Sequence, residues 1–432
     1  MKSTDTVWLY WQGPRPGYID LCLRSVLTHH PDARVLDRAS FDQLWRHDRD
    51  IDLDRLALNH QSDFIRAYLL KHHGGLYLDA DCIVLRDLSP LLALTDVHGF
   101  VGYREPQGYM SCNFMAARAE SAVICDHYRR VCARLRDPRP LEWLDLASTP
   151  MDIAIADYGS NAVLLPTRSV MPIAWNESER LAFRRDDAGH AREFFADAWC
   201  VMLSNNTIKS DERTRVLAYM PANHLIADRY ALSWLLRLAL GAQVDAVSGA
   251  DPAAEVPAHL GGHEGKTQFD EGAFDYLRRR FKVKSFIDIG CGPAGMAYYA
   301  MTRGVRALGV DGDATFAHNS KLIVEHDYAS GPLDAGEFDL GWAVEFVEHV
   351  DECHVPNFMA TLARCKAVFI TAAVPGQPGH HHVNCQWGDY WIARFAESGF
   401  DYDIDATLGV RAASTMRSRF TEQTGLVFRR CA

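Results

Sequence analysis

The chain of 432 residues is too long for one hydrophobic core, so its length predicts two or three domains. Its 48% hydrophobic and 23% charged residues are typical of a globular protein, and its net charge of −11 argues against a general binder of nucleic acids or anionic membranes. No run approaches the ~20 apolar residues of a membrane-spanning helix, and the start, MKSTDTVWLYWQG, lacks the apolar core of a signal peptide. We therefore expect a cytoplasmic protein without a membrane span or a nucleic-acid partner.

The first half of the chain alternates strand-like and helical runs, which predicts an α/β fold. The runs TVWLYWQ and GGLYLDADCIVL are typical of strands, and SDFIRAYLLKHH is typical of a helix. Ser62 or Asp63 stands at the predicted N-cap of that helix. Asp63 and Arg66 are spaced to share one helix face, and Gly74 permits the positive φ of a helix end.

Two aspartates one residue apart, Asp79 and Asp81, end the second strand-like run. Side chains alternate along a strand, so an extended run places Tyr77 and both carboxylates on one face. Such a pair is typical of a solvated turn. It is equally typical of a divalent cation site, because carboxylate oxygens satisfy the charge of the ion.

The longer string SDFIRAYLLKHHGGLYLDADCIVLRDLSPL resembles the DxD sugar-binding region of glycosyltransferase family 32 and related capsular-polysaccharide transferases. The resemblance implies a GT-A-like, generally retaining transferase that takes a UDP- or GDP-sugar donor, with Mn²⁺ or Mg²⁺ bridging the phosphates. It implies Asp81 as a metal ligand and Asp79 as a contact to the ribose, or to the metal through water. The other donor-binding residues that it implies are Trp11, Ser62, Asp63, Arg66, Gly75 and Tyr77.

One segment departs from the pattern of that family. Related enzymes often carry a histidine in an HLW-like segment that completes the metal site, whereas this chain reads WCVMLSNNTI, with Met202 and Ser204 at those positions. Either His224 or a water substitutes, or metal binding is weakened. The departure leaves open a first domain that binds a sugar without transferring it.

A seam at 241–265 separates the two halves of the chain. It reads GAQVDAVSGADPAAEVPAHLGGHEG, is rich in Ala, Gly and Pro, and has no sustained helical or strand period. It predicts a first domain at 1–240, a linker at 241–265 and a second domain at 266–432. After the seam, VKSFIDIGC, VRALGVDGD, FDLGWAV and KAVFITAAV recur with room for helices between them, which predicts a doubly wound parallel sheet.

A glycine-rich turn, FIDIGCGPAG, follows the first of these strands. Alone it does not distinguish NAD from other nucleosides, but the next strand ends at Asp311, where a carboxylate can accept hydrogen bonds from ribose. With the segments that follow, residues 267–400 resemble class I S-adenosylmethionine (SAM) methyltransferases, which implies a Rossmann-like domain with SAM as cofactor. The SAM site that the resemblance implies consists of Asp288, Gly290, Gly292, Gly295, Asp311 and Asp327, the last at the adenine edge.

The segment VEFVEHV spaces Glu345, Glu348 and His349 so that a helix brings them to one face. This is either an ordinary polar face or a second divalent metal site. The pattern resembles the ExxEH motif of metal-assisted O-methyltransferases of ubiquinone biosynthesis and of small-RNA 2′-hydroxyl methylation. That resemblance implies His349 in catalysis and a further histidine ligand from AVPGQPGHHHVN, His381 or His382, of which His381 is assigned to the metal set.

Together these patterns predict a bifunctional enzyme of polysaccharide biosynthesis, which transfers a sugar to a glycan or glycoconjugate and O-methylates one of its hydroxyls. Two alternatives stay open. One is a methyltransferase of RNA or of a small molecule whose first domain is a degenerate sugar-binding module. The other is an RNA or natural-product methyltransferase with an unrelated transferase activity, against which the acidic net charge counts in the case of RNA.

Overall fold

The computed structural model of the protein describes residues 5–181, 195–228, 230–241, 257, 259–317 and 320–431. These residues form two compact units. The first contains 5–180, 195–207 and 234–241, and the second contains 181, 208–228, 230–233 and the described residues from 257 onward. No helix in these ranges is both long enough and apolar enough to cross a membrane.

The first unit is built on a six-stranded mixed sheet and a two-stranded ribbon. Its strands are β1 (Val7–Tyr10), β2 (Arg34–Leu36), β3 (Gly75–Leu78), β4 (Cys82–Val84), β5 (Phe100–Tyr103), β6 (Phe114–Ala117), β7 (Ala162–Leu165) and β8 (Cys200–Met202). The sheet order is β2-β1-β3-β6-β5-β7, and β6 runs antiparallel to both of its neighbours. β4 and β8 form the antiparallel ribbon. The helices are Gly17–His29, Arg38–Leu44, Leu58–His73, Ser89–His98, Ala122–Arg136 and Ser148–Tyr158.

The helix Leu58–His73 packs through an aromatic cluster in which Phe41 lies edge-on against Phe64 and Tyr68. It ends at Gly74, whose φ of 69° agrees with the prediction. The predicted N-cap is wrong, because the helix begins at Leu58 and places Ser62 and Asp63 inside its second turn. The prediction failed because a polar pair before an apolar run is found both at helix N-caps and inside helices whose polar side chains line a site.

The second unit is built on a seven-stranded sheet. Its strands are β9 (Ser285–Ile289), β10 (Arg306–Asp311), β11 (Ile323–Glu325), β12 (Phe338–Ala343), β13 (Cys365–Ile370), β14 (Phe400–Tyr402) and β15 (Leu426–Arg430). The order is β11-β10-β9-β12-β13-β15-β14. β9 to β13 are parallel, whereas β15 is antiparallel to both of its neighbours, so the sheet is mixed rather than wholly parallel. The helices from 271 onward are Glu271–Phe281, Gly295–Thr302, Ala314–Ala317, Val355–Leu362, Gly388–Glu397, Ile404–Ala413 and Phe420–Thr424.

The boundary between the units differs from the seam drawn on composition. Residues 205–239 form the helices Asn205–Ser210, Arg215–Tyr219, Ala222–Ala227 and Ala231–Ala239. Residues 208–233 belong to the second unit, where the ring of Tyr219 lies 5.2 Å from that of Tyr299. The sequence of a short helix does not show which sheet it packs on, so the boundary drawn from the sequence falls after these helices rather than before them. Residues 242–256 of the predicted linker lie outside the described residues, whereas 259–265 belong to the second unit.

Candidate active sites

The DxD pair of the first unit lies in a turn at the carboxyl end of β3. β3 ends at Leu78 and β4 begins at Cys82. The N–H of Asp79 donates to the carbonyl of Asn113 at 2.9 Å, and that of Cys82 donates to the carbonyl of Asp79 at 3.2 Å. The predicted continuous strand through Asp81 is therefore wrong, because the chain turns between the two strands.

Arg66 connects the long helix to this turn. Its Nη2 lies 3.1 Å from Oδ1 of Asp63 and 3.3 Å from Oδ1 of Asp79. Its guanidinium carbon lies 5.3 Å from the ring centroid of Tyr77. The hydroxyls of Tyr77 and Ser62 share a hydrogen bond of 2.9 Å. Five residues singled out from the sequence thus form one partly buried polar network.

Asp81 is held by the segment that departs from the family pattern. The backbone N–H of Asn205 donates to Oδ2 of Asp81 at 2.6 Å, and the N–H of Leu203 donates to its carbonyl at 3.1 Å. The side chain of Asn205 in turn accepts a hydrogen bond from the hydroxyl of Tyr18. No sequence pattern predicts these contacts, because they come from main-chain groups and from a residue on a distant helix.

The carboxylates of this network fit a divalent cation. Burial, followed by the negative charge of Asp79, raises the pKa of Asp81 to about 6. Burial raises the pKa of Asp79 against the opposing effect of Arg66, and raises the pKa of Asp63 to about 6. Carboxylates shielded from water are costly to ionise when the negative charges around them outnumber the positive ones. A hard cation offsets that cost.

Asp79 and Asp81 have no third protein ligand among the described residues. No other carboxylate, imidazole or thiolate of these residues forms a group of three with them. Met202 is buried at the end of β8. His224 lies in the second unit, where its ring centroid is 5.7 Å from that of Tyr298. A cation held by the two aspartates would take its other ligands from water and donor phosphates.

Trp11 and Gly75 lie at opposite edges of the sheet, because β1 and β3 are parallel, Trp11 follows β1 and Gly75 begins β3. Gly75, predicted to bind the donor, therefore lies at the edge away from Asp79 and Asp81. Trp11 follows β1, is partly buried, and donates its indole N–H to the carbonyls of Gly13 at 3.1 Å and Pro14 at 3.3 Å. Trp8 and Tyr10, by contrast, are buried in the core. Gly75 is the first residue of β3. The contact of Trp11 with a nucleotide base stays a prediction.

The raised pKa of Asp81 predicts a pH dependence for metal binding in the first unit. An aspartate must be ionised to ligate a cation, so Mn²⁺ affinity should fall as pH drops through about 6, well above the ordinary aspartate value of 3.8. We expect this fall in calorimetric Mn²⁺ titrations between about pH 4.5 and pH 8, made on a Glu348→Gln chain so that the second unit contributes little. An affinity that is unchanged down to about pH 4.5 would contradict the prediction.

The second unit contains a cavity of about 540 Å³ at the carboxyl edge of its sheet. Gly290 and Gly292 line it, with positive φ values of 69° and 49°. A Cβ on Gly290 would lie 2.4 Å from the ring of Phe346, so this turn requires glycine. Gly295 is instead the first residue of the next helix, and it lets that helix pack closely against Phe269, because a Cβ at Gly295 would lie 2.5 Å from the Phe269 ring.

Two buried carboxylates at this edge fit a cationic ligand. Asp288 and Asp311 line the cavity at the ends of β9 and β10. Oxygens of Asp311 accept the N–H groups of Gly292 at 2.7 Å and Asp313 at 2.8 Å. Burial, followed by the charge of Asp311, raises the pKa of Asp288 well above its ordinary range, and burial also raises that of Asp311. SAM carries a sulfonium and an ammonium group, whose charges suit such a pair.

Asp327 also lines this cavity. One oxygen accepts the N–H of Ala329 at 2.8 Å, and the other lies 2.9 Å from Nε2 of His259. The sequence missed His259 because it falls in the segment assigned to the linker. The carboxylate predicted to meet the adenine is therefore oriented by a histidine of that segment.

The predicted second metal site is built from a tight turn rather than an α-helix. Val347–His349 form a single 3₁₀ turn, and Glu345 before it has a φ of 50°. Glu348, His349 and His382 each offer a ligand atom, all within 4.8 Å of one another. Glu345 accepts a hydrogen bond of 2.8 Å from Thr371, and its charge adds to the effect of burial in raising the pKa of Glu348.

The assignment of His381 to the metal set is corrected by this geometry. His382 lies with Glu348 and His349, whereas His381 has a φ of 46° and its ring centroid lies 6.0 Å from that of His259. Neighbouring residues in a turn point in different directions, and the sequence does not show which of three histidines faces inward.

Hydrogen bonds prepare both histidines to bind a metal. Nδ1 of His349 lies 2.8 Å from the carbonyl of His380, and Nδ1 of His382 lies 3.0 Å from the carbonyl of Gln377. A carbonyl only accepts, so each Nδ1 carries the proton and each Nε2 presents a lone pair. Burial, followed by the effect of His382, lowers the pKa of His349 to about 4, which keeps this ring neutral at pH 7.

Glu348 supports the same conclusion from its burial. Its side chain is fully buried, and neither carboxylate oxygen has a hydrogen-bond partner of normal geometry among the described residues. A buried carboxylate without partners is costly, and a metal ion removes that cost. The donor set that the structure brings together, the carboxylate of Glu348 and the imidazoles of His349 and His382, therefore fits Mg²⁺, Mn²⁺ or a similar ion.

Gly379 predicts a sensitive position next to this group. A Cβ at Gly379 would lie 2.1 Å from Nε2 of His382, so Gly379→Ala should push this ring away from Glu348 and His349. We expect a loss of Mn²⁺ affinity of roughly 10- to 100-fold, the range for changes that misplace a ligand. Gly388→Ala, at a glycine without a positive φ whose Cβ would make only an ordinary contact, 3.6 Å from Leu426, provides the control for a Gly→Ala change, and equal losses in both variants would contradict the prediction.

Comparisons with known families agree with this division of the chain. The glycosyltransferase sugar-binding region containing a DXD motif matches residues 18–98, and a methyltransferase domain matches residues 287–369. These matches confirm the predicted DXD glycosyltransferase region and class I methyltransferase domain, and the α/β fold class with a GT-like domain followed by a Rossmann-like one is confirmed with them. No curated protein sequence matches the chain.

Solved structures resemble one half of the chain or the other. The PaToxG glycosyltransferase is 14% identical, with 35% of this chain and 69% of that chain covered and a TM-score of 0.26. The methyltransferase domain of bacterial CtHen1-C is 17% identical, with 38% and 97% covered and a TM-score of 0.28. The magnesium protoporphyrin IX methyltransferase from Synechocystis PCC 6803 is 12% identical, with 36% and 77% covered and a TM-score of 0.26.

Proposed function

We propose that the chain is a bifunctional enzyme of glycan synthesis. It contains a DXD glycosyltransferase region and a class I methyltransferase domain. It transfers a sugar from a UDP- or GDP-linked donor, and it O-methylates a hydroxyl of a glycan or glycoconjugate with SAM. The observation that supports this most strongly is that each unit gathers partly or fully buried carboxylates with raised pKa values at the carboxyl edge of its own sheet. Its cytoplasmic location and its role in polysaccharide biosynthesis stay predictions.

In the first unit, Asp63, Arg66, Asp79 and Asp81 would bind the donor. Arg66 is held by two carboxylates and is nearly fully buried, so its guanidinium is fixed in position before the donor arrives. Asp81, oriented by the N–H of Asn205, would be a ligand of the metal ion. The ion, when bound, neutralises the charge that develops on the departing nucleoside diphosphate.

In the second unit, the glycine turn and Asp311 would hold SAM, while Glu345, Glu348, His349 and His382 would hold a divalent ion in the same cavity. That ion, when bound, lowers the pKa of an acceptor hydroxyl, whose oxygen receives the methyl group while its proton leaves. The protein orients the ligands through the carbonyls of His380 and Gln377. A vicinal diol, which is abundant on sugars, suits such a site because it offers two oxygens.

The charge of the cavity favours a neutral acceptor over RNA. Among its described lining residues, Lys266 is the one lysine or arginine, against six carboxylates, namely Glu264, Asp288, Asp311, Asp327, Glu345 and Asp351. Nucleic-acid sites gather cations to neutralise phosphates. An uncharged glycan does not need the cationic side chains that a polyanion would require here.

The experiment that tests the transferase is the release of nucleoside diphosphate from a panel of UDP- and GDP-sugars, with Mn²⁺ and then with a chelator. Metal-dependent release from one donor supports the proposal and identifies the donor class. A second candidate, a sugar-binding module without turnover, is favoured by the buried Met202 and by the missing third ligand in the described residues. Donor binding without release from any member of the panel would support that candidate.

A further inference from the structure

Residues 259–264, which we call the strap, form one wall of the second unit's cavity. On the cofactor side, Nε2 of His259 lies 2.9 Å from Asp327, and the ring of His263 packs edge-on against Phe316 with centroids 4.6 Å apart. Leu260 packs against Gly312, because a Cβ on Gly312 would lie 2.7 Å from Cδ2 of Leu260. The strap therefore contacts the two loops, after β10 and after β11, that border the ribose and adenine positions.

The strap also contacts His380, the first of the three histidines in the segment AVPGQPGHHHVN. Nε2 of His380 donates to the carbonyl of Leu260 at 3.1 Å. The same ring packs on Gly262, where a Cβ would lie 2.9 Å from Cδ2. On its other side, the backbone carbonyl of His380 accepts the Nδ1–H of His349 at 2.8 Å. His380 is thus bonded to the strap through its side chain and to a metal-set histidine through its backbone.

We propose that His380 is a positioning residue that couples cofactor binding to metal binding, an inference that rests on the proposed methyltransferase function. A strap closed over SAM fixes His380, and the carbonyl of His380 then fixes the ring of His349 with Nε2 toward the metal. Either ligand orders the strap and this loop, so the second ligand binds to a part of the protein that is already ordered. Such coupling is reciprocal, because each ligand must change the affinity of the other by the same factor.

The test measures S-adenosylhomocysteine affinity with and without Mn²⁺, and Mn²⁺ affinity with and without S-adenosylhomocysteine. Titrations use the full chain with Asp81→Asn, so that the first unit contributes little to Mn²⁺ binding. We expect each ligand to raise the affinity of the other by the same factor, roughly fivefold or more. In His380→Ala the factor should fall to about 1, because the backbone carbonyl remains but the bond to the strap is lost.

Two further variants separate coupling from a structural role. His380→Gln keeps an N–H donor for the carbonyl of Leu260 and should restore part of the coupling factor. His354→Ala removes another imidazole from the lining of the same cavity, leaves both hydrogen bonds of His380 in place, and should keep the factor of the parent chain. The factor is a ratio of affinities, so a uniform loss of affinity does not change it.

The possible results distinguish this inference from the function on which it rests. Both ligands binding to the parent chain with no mutual effect, or a coupling factor unchanged in His380→Ala, would overturn the inference alone. Absence of binding by S-adenosylhomocysteine or by Mn²⁺ in the parent chain would overturn the methyltransferase proposal and the inference with it.

Discussion

Asp81→Asn is expected to reduce metal-dependent release of nucleoside diphosphate by roughly a hundredfold or more, since a metal supplies several kcal/mol of charge stabilisation and about 1.4 kcal/mol is tenfold in rate. The substitution keeps the shape of the side chain and an oxygen for the N–H of Asn205, but it removes the charge that faces the cation. Release from the donor that the panel identifies, measured with and without Mn²⁺, checks the prediction. Equal release by the variant and the natural chain would contradict it.

The loss in Asp81→Asn should not come from unfolding. The folded chain raises the pKa of Asp81 from 3.8 to about 6, so ionising this group costs stability as pH rises through that window. Neutral asparagine does not incur this cost, and the thermal midpoint of the metal-free variant at about pH 7 should be no lower than that of the natural chain. Asp87→Asn, at a side chain that is 61% exposed, is the matched control and should keep full release.

Glu348→Gln is expected to have the second largest effect, on the methyltransferase. It removes the charge of a fully buried carboxylate in the metal group. We expect Mn²⁺ affinity of the second unit to fall by roughly a hundredfold or more, beyond the 10- to 100-fold typical of residues that only orient ligands. Calorimetric titration in the Asp81→Asn chain measures this loss, and methyl transfer to a glycan acceptor should fall with it.

A thermal measurement separates a binding defect from a folding defect in Glu348→Gln. Saturating Mn²⁺ stabilises a folded chain that binds it, so the melting temperature of the natural chain should rise with metal while that of the variant should rise less. Glu352→Gln, at a side chain that is 59% exposed, provides the control and should respond like the natural chain. The same metal-induced rise in Glu348→Gln as in the natural chain would contradict the role assigned to Glu348.

The sequence predicted the parts of the two sites that depend on local spacing. Asp63 and Arg66 share a helix face because they are three residues apart, and the ion pair between them follows from that spacing. The glycines at 290 and 292 likewise occupy positions where positive φ is required. In such cases the backbone geometry of one element settles the placement, and the amino-acid types reveal it.

The parts that escaped prediction depend on contacts between distant segments. The choice of His382 over His381 is made by a turn whose direction no periodic pattern encodes. The N–H of Asn205 reaches Asp81 from a position 124 residues later in the chain, through a main-chain group that every residue type offers. Residues 259–264 resembled a linker because Gly and His have no periodic signature, although packing against Asp327 and His380 gives them a defined place.

The central claim, that one chain adds a sugar and a methyl group to the same molecule, is tested most directly by mass spectrometry of candidate glycan acceptors. Acceptors are incubated with the nucleotide sugar alone, with SAM alone, and with both, in the presence of Mn²⁺. We expect a product that carries one added sugar residue and one added methyl group and forms when both cosubstrates are present. Singly modified products on unrelated acceptors, with no doubly modified species, would contradict it.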